Sequence, residues 1–188
     1  MITRKQALAF LRSQQLNQKI IKHLLCTEAM MRVLAKKFAP LKEKEWALAG
    51  LLHDGDYLPT VPVEEQGIRV SQMLKAKGYE IPSQVAYCMA AHNWSHNGVA
   101  PRSKMDWCLF CGDSLTGLIV ATALVRPDKS LKSVTVASVL KKFRQKEFAR
   151  GTRRGDILKC EEKLGLKLEE FIALVLLAMQ PIADKLGL

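Results

Sequence analysis

Apolar residues recur at intervals of three and four along almost all of this 188-residue chain, and runs with strand character are nearly absent. That spacing lines residues up on one face of an α-helix but scatters them over both faces of a strand. The only β-branched run, SVTVASV at Ser133–Val139, leads straight into Leu140 and Phe143 at helical spacing. The expected fold class is therefore all-α, a multi-helix bundle. The length predicts a single domain over residues 1–188 with a sizeable buried core.

Local signals divide the bundle. Thr3 and Gln6 have the spacing of a capping box for a first helix to about Gln14. Helices are expected at about Asn17–Phe38 and Lys42–His53, then a loop over Gly55–Val63, where Pro59 and Pro62 fall. Glu64–Lys77 reads as a helix with Gly78 just past its end, and Pro82 suits the start of the next. Ser103 and Asp106 form a second capping box, opening a long helix that must stop before Pro127. Helices follow at about Val134–Gln145, Arg153–Leu164 and Leu168–Lys185, the last broken by Pro181.

Charge and cysteine usage narrow the class. The formal net charge is +11, and between Arg126 and Arg154 ten Lys and Arg face only Asp128 and Glu147. A segment this basic favours an anionic partner or forms a solvated helical face. Five cysteines, an odd number with no secretory signal ahead of them, predict buried thiols rather than a disulfide framework. The longest apolar stretch, Cys108–Val125, carries Asp113 in its middle, which makes spanning a bilayer costly. The expectation is a cytoplasmic protein with no membrane partner.

Four polar residues break the apolar stripes. His23, His53, His92 and Asp113 each lie on the apolar face of a different expected helix. A single buried imidazole is ordinary, but a buried carboxylate without a partner is costly. Inward helix faces can bring such residues to one point, as metal sites in helical bundles do. A divalent ion would neutralise the carboxylate and satisfy the imidazoles.

The order and context of these residues carry a resemblance. His23, then His53-Asp54 within LLHD at the end of a helix, AHN at Ala91–Asn93, and CGDSLTGLIVATALVRP at Cys111–Pro127 stand in the order H…HD…D. The chain, from about His23 to Gln180, resembles the HD-domain superfamily of metal-dependent phosphohydrolases, in particular a subgroup of small bacterial predicted HD hydrolases. KKFRQKEFARG at Lys141–Gly151 is similar to that subgroup's tail. The resemblance implies an HD core over about residues 17–126 and a basic helical extension over about 127–188. It implies His23, His53, Asp54 and Asp113 as metal ligands, with Asp54 also catalytic in orienting the attacking water. His92 matches a position that holds a second metal in some members. Another such position falls where this chain reads Glu64-Glu65-Gln66-Gly67, without histidine, so one tightly held metal is expected. The ion could be manganese, iron, cobalt, nickel, zinc or magnesium (Mn, Fe, Co, Ni, Zn or Mg). The substrate class implied is a small phosphorylated molecule, a nucleotide or similar, cleaved at a phosphate ester or phosphoanhydride bond by metal-activated water.

Some residues have two readings. Arg102 and Lys104 stand just ahead of the helix carrying Asp113 and are candidate substrate-binding residues, as is the Lys141–Arg154 cluster; either could be solvated surface. Asp56, Glu64 and Glu65 fit a general acid or a carboxylate favouring a helix start. His92, His96, Cys108 and Cys111 have spacings found in structural zinc sites, although the two cysteines fall inside a long helix. The competing function is a non-catalytic basic all-α protein that binds a nucleotide or nucleic acid around a structural metal. Against nucleic acid, the basic segment contains only Phe143 and Phe148 for base stacking.

Overall fold

The computed structural model describes residues 2–188, which contain helices and turns and no strand. In chain order the helices are α1 (Arg4–Ser13), α2 (Gln18–Phe38), α3 (Glu43–Leu52), α4 (Arg69–Ala76), α5 (Ser83–Ala91), α6 (Trp94–Asn97), α7 (Lys104–Leu124), α8 (Val136–Arg144), α9 (Arg154–Leu164), α10 (Leu168–Met179) and α11 (Ala183–Leu186). The all-α expectation holds.

The caps are where the sequence puts them. Thr3 accepts from the Gln6 amide while the Gln6 side chain accepts from the Thr3 amide, and Ser103 and Asp106 do the same at the start of α7. Asn17 caps α2 through the Lys19 amide. Pro181 ends α10 in a short 3₁₀ turn over Gln180–Ile182 before α11 begins.

The helix expected over Glu64–Lys77 is shorter. Residues Val63–Glu65 form a 3₁₀ turn, and α4 begins only at Arg69. Gly67, at φ +81°, is left-handed and interrupts the path. Its amide, and that of Val70, donate to the buried Asp56 carboxylate from eleven and fourteen residues away. A long-range cap of this kind leaves no trace in local periodicity.

Helix α2 runs through the middle of the molecule, packing on α3, α7 and α10. Two glycines allow the close approaches. A Cβ on Gly50 of α3 would lie 2.6 Å from the Thr27 carbonyl oxygen of α2, and one on Gly112 of α7 would overlap the Met30 thioether. Gly50 is three residues before His53, and Gly112 is next to Asp113, so the contacts that tighten the bundle also bring the polar residues towards His23 of α2.

One apolar core runs from Ile2 to Leu186. Residues 127–188, expected as an extension, contribute Leu131, Val139, Ile157, Phe171, Ile172 and Val175 to it, all fully buried. Helix α7 is long and apolar enough to cross a membrane by length and composition, but 67% of its most apolar window is buried within this core. All five cysteines are free and buried.

Candidate metal centre

His23 comes from the second turn of α2, Asp113 from the middle of α7, and His53 and His92 from the C-terminal ends of α3 and α5. Asp54 follows His53 in the turn. The five side chains meet. His23 Nε2 is 2.9 Å from Asp113 Oδ1 and 3.2 Å from His53 Nε2. His53 Nε2 is 3.5 Å from Asp113 Oδ1 and 3.7 Å from Asp54 Oδ2. His92 Nε2 is 3.1 Å from Asp54 Oδ1. Ligand atoms of His23, His53 and Asp113 lie within 4.8 Å of one another, and so do those of His53, Asp54 and His92. The two triads share His53.

The other ring nitrogen of each histidine is already committed. His53 Nδ1 lies 2.9 Å from the Gly50 carbonyl, and His92 Nδ1 bonds the Met89 carbonyl, each three residues back in its own helix. His23 Nδ1 is 3.3 Å from Thr116 Oγ1, which also lies 2.8 Å from the Asp113 carbonyl. A carbonyl can only accept, so Nδ1 of His53 and of His92 carries a hydrogen. The Nε2 atoms of all three rings face inward, and outer partners of this kind fix metal-bound imidazoles.

Two carboxylates buried among three imidazoles need positive charge. Without a cation, protons must supply it. His23 is held above its ordinary pKa: burial opposes its charge, but contact with Asp113 and the field of Asp54 outweigh burial. His92 is raised the same way by Asp54. Burial opposes ionisation of both aspartates as well, yet the imidazoles draw Asp54 down to about 2 and Asp113 well below the usual carboxylate range. The donor set of nitrogen and oxygen ligands, acidic and largely buried, fits a divalent ion.

The remaining candidates fall elsewhere. Arg102 stacks on the Tyr87 ring at 3.4 Å, and Lys104 donates to the Lys163 carbonyl at 2.6 Å, nine residues before Asp113 and thus about 13 Å along the helix axis. Neither side chain contacts the five clustered residues. Asp56 is the cap described above, Glu65 pairs with Arg69, and Glu64 is exposed. His96 bonds the Asn93 side chain, and Cys108 and Cys111 lie buried in unbroken α7, so the alternative zinc set is not assembled among the described residues.

Arg153 joins the site and was not singled out in the sequence. Its Nη2 is 2.9 Å from Asp113 Oδ2, and its Nε is 3.0 Å from Asp156. It fixes the outer oxygen of Asp113 so that Oδ1 faces the histidines. In the Glu64–Gly67 stretch, which has no histidine, Gly67 lies against His92: a Cβ there would come within 3.0 Å of the ring. No protein-family model matches the chain, and no curated protein or solved structure does.

Proposed function

We infer that the protein is a divalent-metal-dependent phosphohydrolase of the HD type, acting on a phosphate ester or phosphoanhydride bond of a nucleotide or similar small phosphorylated molecule. The observation that carries this reading is the convergence of the Nε2 atoms of His23, His53 and His92 on the carboxylates of Asp54 and Asp113. Such a set is expensive to keep in a core unless it binds a cation.

A divalent cation held by His23, His53, Asp54 and Asp113, with His92 beside it, would acidify a bound water and polarise a phosphoryl oxygen. The chain's own residues do the rest. Asp54, kept ionised with its pKa near 2, is a weak base; it orients the attacking water rather than taking its proton. Asp113 is fixed from behind by Arg153. That guanidinium is a third exposed, and its planar fork suits a phosphoryl oxygen as charge develops there. Asp56 does not serve as the acid for the leaving group, because its oxygens hold the Gly67 and Val70 amides.

The test is turnover of p-nitrophenyl phosphate, bis(p-nitrophenyl) phosphate and pyrophosphate before and after chelation. Activity on at least one of them, lost on chelation and restored by manganese, supports the reading. No turnover of any of the three by fully metal-loaded protein would overturn it and favour the non-catalytic binding protein.

A further inference from the structure

A groove of about 440 Å³ opens beside His23, a volume suited to a small organic ligand. His23 and Thr116 belong both to this groove and to the metal cluster. Its other walls are Cys26, Val120, Leu124, Leu186 and Leu188, with bare backbone at Gly117 and Gly187. Lys19 and Lys22, both exposed, stand at its edge and form no ion pair among the described residues.

Three features say what the groove would hold. The first is Gly117, in the interior of α7. Glycine weakens a helix interior, and Gly50 and Gly112 have packing reasons to be there. Gly117 has none: a Cβ at that position meets no atom within 4 Å. Its lack of a side chain instead keeps the groove open.

The second is the lining chemistry. The Thr116 hydroxyl is committed between the Asp113 carbonyl and His23. Burial pushes the Cys26 thiol up to about 12, so it stays neutral and acts as an apolar wall. Apart from His23 and the two lysines at the edge, no lining side chain has a hydrogen-bonding group to spare for a nucleobase. The third is the pair of free lysines at the edge, which favours an anion.

We propose that this groove binds the organic part of the substrate, and that the part is an apolar group, aryl or alkyl, carried on a phosphate that reaches the metal cluster past His23. The proposal rests on the phosphohydrolase reading for what happens to the phosphate. The binding of the apolar part does not depend on it.

The experiment measures binding of 1-naphthyl phosphate and of inorganic phosphate by calorimetry, with metal-free and manganese-loaded protein. Wild type should bind 1-naphthyl phosphate at least about tenfold tighter than inorganic phosphate, equivalent to about 1.4 kcal/mol. Gly117→Leu fills the groove with a better helix former, so its melting temperature should not fall. It should lose that tenfold preference and keep the metal content of wild type. An unchanged preference in Gly117→Leu, or no preference in wild type, overturns the proposal. Preference lost in Gly117→Leu, in a protein that binds no metal and turns over no phosphate ester, supports the groove and overturns the hydrolase reading alone.

Discussion

Helix α2 carries two buried polar clusters five residues apart, and they are built on opposite principles. Around Glu28 every charge has an answer. Its carboxylate, 5% exposed, accepts from Arg4 at 2.6 and 2.8 Å and from Arg32 at 2.9 Å, and Arg32 reaches Glu43 at 3.1 Å. Two guanidiniums meet two carboxylates, with nothing left over. Around His23 three imidazoles surround two carboxylates, and the only fixed cation in contact with them among the described residues, Arg153, sits on the outer oxygen of Asp113. The first cluster is complete as protein. The second is complete only with an added positive charge. Burial of polar groups therefore does not by itself mark a site; a shortfall of charge does.

Removing one member from each cluster should separate them most sharply. Asp54→Ala deletes the carboxylate common to His23, His53 and His92 and should reduce both metal content and turnover by at least about 100-fold. His92→Ala removes one imidazole of three and should be milder. An Asp54→Ala protein with full turnover would end the proposed mechanism. Loss from His92→Ala as deep as from Asp54→Ala would mean that His92 holds an essential ion.

Glu28→Ala should instead act on stability alone, lowering it by about 1–3 kcal/mol with or without metal. The lower part of that range is expected, because Arg4 is about half exposed and Arg32 about a third, so the stranded guanidiniums can reach water. Chemical denaturation of metal-loaded and metal-free protein measures this. A Glu28→Ala loss that appears only with metal would show that the two clusters are coupled.

A smaller effect comes from pH. His23 and His92 have raised pKa values in the folded, metal-free protein, so they stabilise it fully below their ordinary value near 6.5. That contribution is lost as pH rises through the raised folded values. Metal competes for the same Nε2 atoms and so binds more weakly as pH falls through that window. The gap in melting temperature between metal-loaded and metal-free protein should narrow from pH 8 to pH 5.5. A gap that widened would contradict the assignment of these nitrogens as ligands.

Much of this was legible because it is local. Thr3 with Gln6, Ser103 with Asp106, and Pro181 fix helix ends through contacts within a few residues. His23, His53, His92 and Asp113 are visible as polar breaks in apolar stripes, and the structure brings all four together with Asp54. The rest depends on distance in sequence. Asp56 caps amides at Gly67 and Val70, so the helix expected from Glu64 begins at Arg69 instead. Arg153 is one cation in a strongly basic segment, and only its contact with Asp113 distinguishes it. Arg102 and Lys104 look well placed next to the helix of Asp113, but the rise along that helix carries them away from the cluster.

The claim that the His23 cluster is a cation site is tested most directly by metal content. Elemental analysis would be run on purified wild type beside Asp113→Ala, each after incubation with manganese and removal of free ion. The account predicts about one tightly held ion per chain in wild type, and little or none in Asp113→Ala. No ion in either protein, or the same content in both, would contradict it.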